Sequence, residues 1–173
     1  MKPEFILFLT LYLLCLTTRT TYELLKKSGR ANSKSKILFF VIFAAMCLLW
    51  ICWFAMCPLD PWRLDLPDPL RWIAFGIFVV GWGLALGALF QLRGLENIDH
   101  LITSGLFSII RHPMYAGFML WIIGWSFYHC AAASFLVGLF GIGNVLYWRH
   151  LEDAALELRY GDRYREYRKG TWF

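Results

Sequence analysis

Residues 101–117 read LITSGLFSIIRHPMYAG, and in them a polar loop becomes the start of a long apolar helix. Pro113 suits the first helical position, where its missing N–H would be unpaired anyway. The amides of Met114, Tyr115 and Ala116 then face outward from a helix start that favours an anion. Arg111 adds a full positive charge beside them, and His112 a donor that can change protonation state. Tyr115 brings an aromatic face with a hydroxyl, and Gly117, one turn on, permits close approach. Two readings fit this spacing. One is a small site for an amphipathic ligand at the membrane edge. The other is an interfacial anchor, with Arg111 snorkelling to headgroups while Pro113 starts a span.

The surrounding chain belongs in a membrane. Of its 173 residues, 59% are hydrophobic, well above the roughly 45–50% of soluble domains. The length allows one domain, residues 1–173, and no separate soluble catalytic unit. Five cysteines lie in or beside apolar runs and form no CxxC pair, which argues against a zinc centre or a redox pair.

Apolar periodicity predicts an all-α, polytopic fold of about five transmembrane helices, over residues 3–18, 37–57, 72–90, 113–128 and 131–148, followed by a cytoplasmic helical segment, 149–173. The first run lacks the flanks and cleavage site of a signal peptide. Residues 19–36 read as a loop carrying Arg19, Lys26, Lys27, Arg30, Lys34 and Lys36 against Glu23, and such a loop is expected inside. The proline-rich turn with Asp60, Asp65 and Asp68 then lies outside. Five spans place the N-terminus outside and the 101–117 stretch and the tail inside. Gly76, Gly83 and Gly87 share one face of the third helix, suited to helix packing or to a flat ligand. The last two spans form a tight hairpin joined at His129 and Cys130.

A second constellation stands where the fifth span leaves the membrane, in WRHLED, residues 148–153. Arg149, Glu152 and Asp153 share a helix face. They form either a surface ion pair or a holder for a ligand's ammonium, hydroxyl or carboxylate. Leu151, Ala155 and Leu158 read as an apolar stripe, Gly161 as a helix stop and Asp162 as the next N-cap. Tyr160, Tyr164 and Tyr167 fall on one side of the last piece. His100, His112 and His150 share this side of the membrane but lack ligand spacing such as HxxxH, so no metal is expected. No nucleic-acid partner is expected either.

Thr103, Ser104, Gly105 and Phe107, then Arg111, His112, Pro113, Tyr115 and Gly117, then Glu152–Asp153, Gly161, Tyr164 and Tyr167 together resemble the isoprenylcysteine carboxyl methyltransferase family and its phospholipid methyltransferase relatives. The resemblance implies an integral membrane methyltransferase that uses S-adenosyl-L-methionine, held between the RHP helix start and the C-terminal helix. By the same resemblance, Leu101, Ile102, His112, Pro113, Met114, Tyr115 and Glu152 contact the cofactor. Arg149 contacts the acceptor, and Gly81-Trp82-Gly83 matches a GxG of the phospholipid enzymes. Phe107 stands where the family often has tyrosine, Asp153 is shorter than glutamate, and little chain follows the tyrosines.

The expected acceptor is an amphipathic lipid or isoprenoid at the cytoplasmic membrane face. A carboxylate acceptor needs no base and Arg149 orients it. An amine or thiol must lose a proton, with His112, His150 or Glu152 as candidates. The alternatives are an NADPH-dependent membrane reductase on the same scaffold and a non-catalytic membrane subunit. No Gly-rich dinucleotide loop supports the former.

Overall fold

The computed structural model describes residues 2–31, 35–92 and 101–173. Lys34 and His100, both read above, lie outside the described residues. Six helices follow in order: α1 (Pro3–Lys27), α2 (Lys36–Met56), α3 (Asp68–Gln91), α4 (Pro113–Tyr128), α5 (Ala132–Tyr160) and α6 (Asp162–Lys169). The described residues contain no named strand, so the fold is all-α. Three helices are long and apolar enough to cross a membrane: α1, α2 with its extension to Leu59, and α3.

Local chemistry explains most boundaries. The Ser35 hydroxyl accepts from the Leu38 amide and opens α2. Asp68 and a proline in the first turn open α3, four residues before residue 72, where the apolar pattern alone would start it. α4 begins on Pro113 as expected. Cys130 turns the α4–α5 hairpin with φ of 54°.

Asp60 fixes the far end of that hairpin. Only 4% exposed, it accepts from the Ser134 amide at 2.5 Å and the Trp62 amide at 2.7 Å. A member of the acidic turn is thus a buried cap on the start of α5, where carboxylates are favoured.

The first helix corrects the loop read at residues 19–36. α1 runs on to Lys27, and Arg19 and Glu23 form a salt bridge one turn apart, both largely buried. Apolar periodicity ends at the first charge, but an i,i+4 ion pair sustains a helix past it.

The glycine face of α3 is also corrected. A Cβ on Gly76 or Gly83 would meet nothing within 4 Å. Instead Ala74, Gly81, Ala85 and Ala88 are the buried positions. A Cβ on Gly81 would lie 2.8 Å from the Gly117 carbonyl oxygen, and one on Gly117 would lie 2.6 Å from the Gly81 oxygen. The two backbones therefore touch, as small residues allow in membranes. What approaches Gly117 closely is α3, and this contact fixes the height of α4 in the bundle.

On the other side of α4, Tyr12, Trp53, Ile122, Val145 and Trp148 fill a core shared by α1, α2, α4 and α5. α5 continues unbroken through the expected end of its apolar run to Tyr160, carrying WRHLED rigidly out of the core. Of its expected apolar stripe only Leu151 is buried, and Leu158 is 91% exposed. Gly161, at φ 55°, ends α5 and is itself the N-cap of α6, with Asp162 in the first turn. The chain reverses there because α6 packs back toward the RHP segment rather than extending the stripe.

Candidate active site

The start of α4 and the exit of α5 meet at one buried histidine. His112, 5% exposed, precedes Pro113, and its ring lies against the Glu152–Asp153 pair. Its Nε2 is 2.6 Å from Asp153 Oδ1, and its Nδ1 is 3.9 Å from Glu152 Oε2. The neighbouring carboxylates differ because adjacent helical residues point about 100° apart. Asp153 turns inward and is 10% exposed at its side chain, whereas Glu152 is 48% exposed.

Asp153 is the hub. It accepts from His112 and from the Tyr164 hydroxyl of α6, and Arg149 Nε lies 3.6 Å from its other oxygen. Burial would raise its pKa. Hydrogen bonds from His112 and Tyr164 and the charges of His112 and Arg149 outweigh that and bring it down to about 2. Burial, then the same carboxylate, pushes the Tyr164 hydroxyl up, so it remains a donor. The ionised Asp153 can only accept, so His112 Nε2 carries a hydrogen toward it, and Nδ1 faces Glu152.

Arg149 is held in two ways. Its guanidinium lies 4.4 Å from the centroid of the Phe173 ring, and its Nε is ion-paired with Asp153 at 3.6 Å. Tyr115 stacks beside His112 at 5.6 Å. Met114 is half-buried next to it. Leu101 is buried and Ile102 half-buried at the entrance to the preceding turn.

That turn, residues 105–108, is pinned by Gln91 at the end of α3, whose Oε1 accepts from the Leu106 amide at 2.9 Å. Gly105 has φ of 60° and packs so tightly on the Gln91 amide that a Cβ would overlap it. The glycine of the TSG motif is therefore required by its conformation.

Two expectations at the RHP segment are corrected. Arg111 is not aimed at a ligand: it donates to the carbonyls of Thr171 at 2.7 Å and Arg168 at 3.0 Å. Its own amide donates to Trp172, so residues 168–172 are strapped to the segment. The Ala116 amide is taken by the His112 carbonyl, leaving those of Met114 and Tyr115 at the open helix start. Tyr167 completes the closure by donating to the Phe107 carbonyl at 2.5 Å. His150 is exposed and stands apart from His112. Among the described residues no cluster of three metal-ligating side chains occurs.

The model of the family described as phospholipid methyltransferase matches residues 71–163, more than half of the chain. The chain belongs to the phospholipid methyltransferase family. The matched segment contains α3, α4 and α5 and therefore His112, Arg149, Glu152 and Asp153. The chain is 30% identical over 115 residues to the protein-S-isoprenylcysteine O-methyltransferase of Schizosaccharomyces pombe, covering 56% of this chain and 45% of that protein. It is 29% identical to the methanethiol S-methyltransferase of Pseudomonas deceptionensis, covering 55% and 42%. It is 26% identical over 147 residues to methanethiol S-methyltransferase 1 of Bradyrhizobium diazoefficiens, covering 75% and 50%. The chain thus spans about half the length of the curated relatives it matches. No solved structure matches it significantly.

Asp153 is the site residue that sequence reasoning left aside in favour of Glu152. Its signal was the i,i+4 spacing from Arg149. What singles it out is the return of α6, which brings Tyr164 onto it.

Proposed function

We propose that this chain is an S-adenosyl-L-methionine-dependent methyltransferase acting on an amphipathic acceptor at the cytoplasmic membrane face. The carrying observation is the meeting of His112, at the start of α4, with Glu152, Asp153 and Arg149 of α5. The named relatives methylate a carboxyl group or a thiol, both of which react as anions.

The residues present fit the cofactor. Glu152 is a half-exposed carboxylate, able to take an ammonium or ribose hydroxyls. The amides of Met114 and Tyr115, at a helix start without a side-chain cap, suit a carboxylate. Leu101, Ile102 and Met114 supply apolar surface. When bound, the cofactor supplies a sulfonium methyl group that a nucleophile displaces in line. Positioning then accounts for much of the rate gain.

Asp153 holds the His112 ring and Arg149 in place. Arg149 orients the acceptor through its guanidinium. For a thiol or amine acceptor, His112 Nδ1 is the atom that takes the proton. In this reading α4 and the apolar first half of α5 complete five spans. The basic ends of α1 and the tail then share the cytoplasmic side.

The test is methyl transfer from labelled S-adenosylmethionine into membrane lipids or added prenylcysteine by the purified full chain. Arg149→Ala is expected to lose turnover by at least 100-fold while binding the cofactor normally. Full turnover by Arg149→Ala would remove its assigned role, and no transfer to any acceptor by a protein that binds NADPH would favour the reductase.

A further inference from the structure

A second arginine, in a helix outside the family-matched segment, is buried beside this site. Arg19 and Glu23 of α1 are paired with side chains only 15% and 12% exposed. The Arg19 guanidinium lies 5.3 Å from the centroid of Trp148, the residue before Arg149. That ring is itself fixed, because its Nε1 donates to Thr20 Oγ1 at 3.1 Å and Thr20 donates to Asn144 Oδ1 at 2.8 Å. Glu152 follows Trp148 by four residues and shares its face of α5, and Glu152 Oε2 lies 3.9 Å from His112 Nδ1. Arg19 and Glu23 of α1 therefore stand one turn of α5 from the meeting of Glu152 with His112 of α4.

The i,i+4 spacing explains how the pair supports α1 but not why it is buried. A buried ion pair rarely gains over well-packed apolar residues of the same volume. An ionisable group among apolar helices marks a functional position by default. Among the described residues the guanidinium makes one hydrogen bond, to Glu23, and so has four of its five N–H donors to offer.

We propose that Arg19 is the anion-holding group of the acceptor site: it exchanges Glu23 for the negatively charged head, carboxylate or thiolate, of an amphipathic acceptor. Glu23 keeps the guanidinium oriented when no acceptor is present, and the Trp148 face keeps it in the plane that a carboxylate meets with two parallel hydrogen bonds. This rests on the methyltransferase reading and adds to it the charge of the acceptor and the residue that selects it.

The test measures binding rather than turnover. The full chain in detergent, with and without saturating S-adenosylhomocysteine, is titrated with N-acetyl-S-farnesylcysteine, with its uncharged carboxamide, and with a long-chain alkanethiol. The parent is expected to bind the carboxylate at least 10-fold tighter than the carboxamide, or to bind the thiol as its thiolate with release of a proton to the buffer. Arg19→Gln is expected to erase that preference and Arg19→Lys to keep part of it, with affinity for S-adenosylhomocysteine within twofold of the parent in both. The apolar pair Arg19→Met with Glu23→Leu guards against misfolding: it should fold, bind S-adenosylhomocysteine and show no charge preference. Arg19-dependent binding of the carboxylate alone, or of the thiol alone, identifies which anion is the acceptor. A preference that survives in folded Arg19→Gln, or no binding of either anionic probe by the parent, overturns the proposal. If the parent fails to bind S-adenosylhomocysteine but keeps an Arg19-dependent preference, the methyltransferase reading falls and the anion site stands.

Discussion

His112 Nε2 and Asp153 Oδ1 are 2.6 Å apart although 41 residues separate them in the chain. This bond ties the first residue before α4 to the middle of α5. It makes the adjacent acids unequal: Asp153 is buried among its partners, and Glu152 is 48% exposed, free for the ligand role proposed for it.

Substituting the two acids should therefore separate stability from binding. Asp153→Ala leaves His112 and Tyr164 without their acceptor and Arg149 without its ion-pair partner, and each buried unsatisfied group costs about 1–3 kcal/mol. Glu152→Ala removes a half-exposed side chain and should leave thermal stability within about 0.5 kcal/mol while cofactor affinity falls at least tenfold. Thermal unfolding in detergent, followed by cofactor titration of each variant, makes the comparison. Equal destabilisation by both would contradict the division of roles.

Acid should unlock the same bond. The pKa of Asp153 in the folded protein, about 2, lies below the roughly 3.9 of a free aspartate. Its contribution is complete above about pH 4 and is lost as pH falls from there toward 2. Unfolding measured between pH 6 and pH 2 should steepen below pH 4 in the parent. Asp153→Asn, which no longer titrates, should show a shallower dependence over the same range.

Close packing of α3 on α4 should tolerate no added carbon at the contact and some elsewhere. Gly117→Ala places a methyl 2.6 Å from the Gly81 oxygen and should cost about 1–3 kcal/mol, with α4 displaced and cofactor affinity reduced. Gly76→Ala and Gly83→Ala meet nothing within 4 Å and should be neutral or mildly stabilising. Thermal stability of the three variants decides whether the Gly81 face or the Gly76–Gly83 face carries the packing.

Labelling of single cysteines in a background free of the native ones tests the orientation. A cysteine at Lys26 and one at Lys169 should be protected from an impermeant reagent in intact cells, and one at Asp65 should react. The reverse pattern would place the site on the other side of the membrane.

The start of α4 and the α4–α5 hairpin were legible because a proline, a polar pair and two apolar runs mark them directly. RHP and the acid pair were legible as motifs because each is contiguous in the chain. Partners were not. Periodicity shows that α3 has small residues but not that Gly81, rather than Gly83, faces α4, because that depends on the rotation α4 imposes. Arg19 read as a loop charge because its pairing with Glu23 and its place over Trp148 arise only when α1 meets α5. Arg111 read as a ligand contact because the strap it holds, residues 168–172, lies nearly 60 residues downstream.

The most direct test is titration of S-adenosylmethionine into the purified full chain in detergent, beside His112→Ala and Glu152→Ala, with NADPH as comparison ligand. Expected is saturable binding of S-adenosylmethionine to the parent, weakened at least tenfold by each substitution, and none of NADPH. Folded protein that binds no S-adenosylmethionine, or binds it equally well without His112 and Glu152, would contradict the assignment of this site.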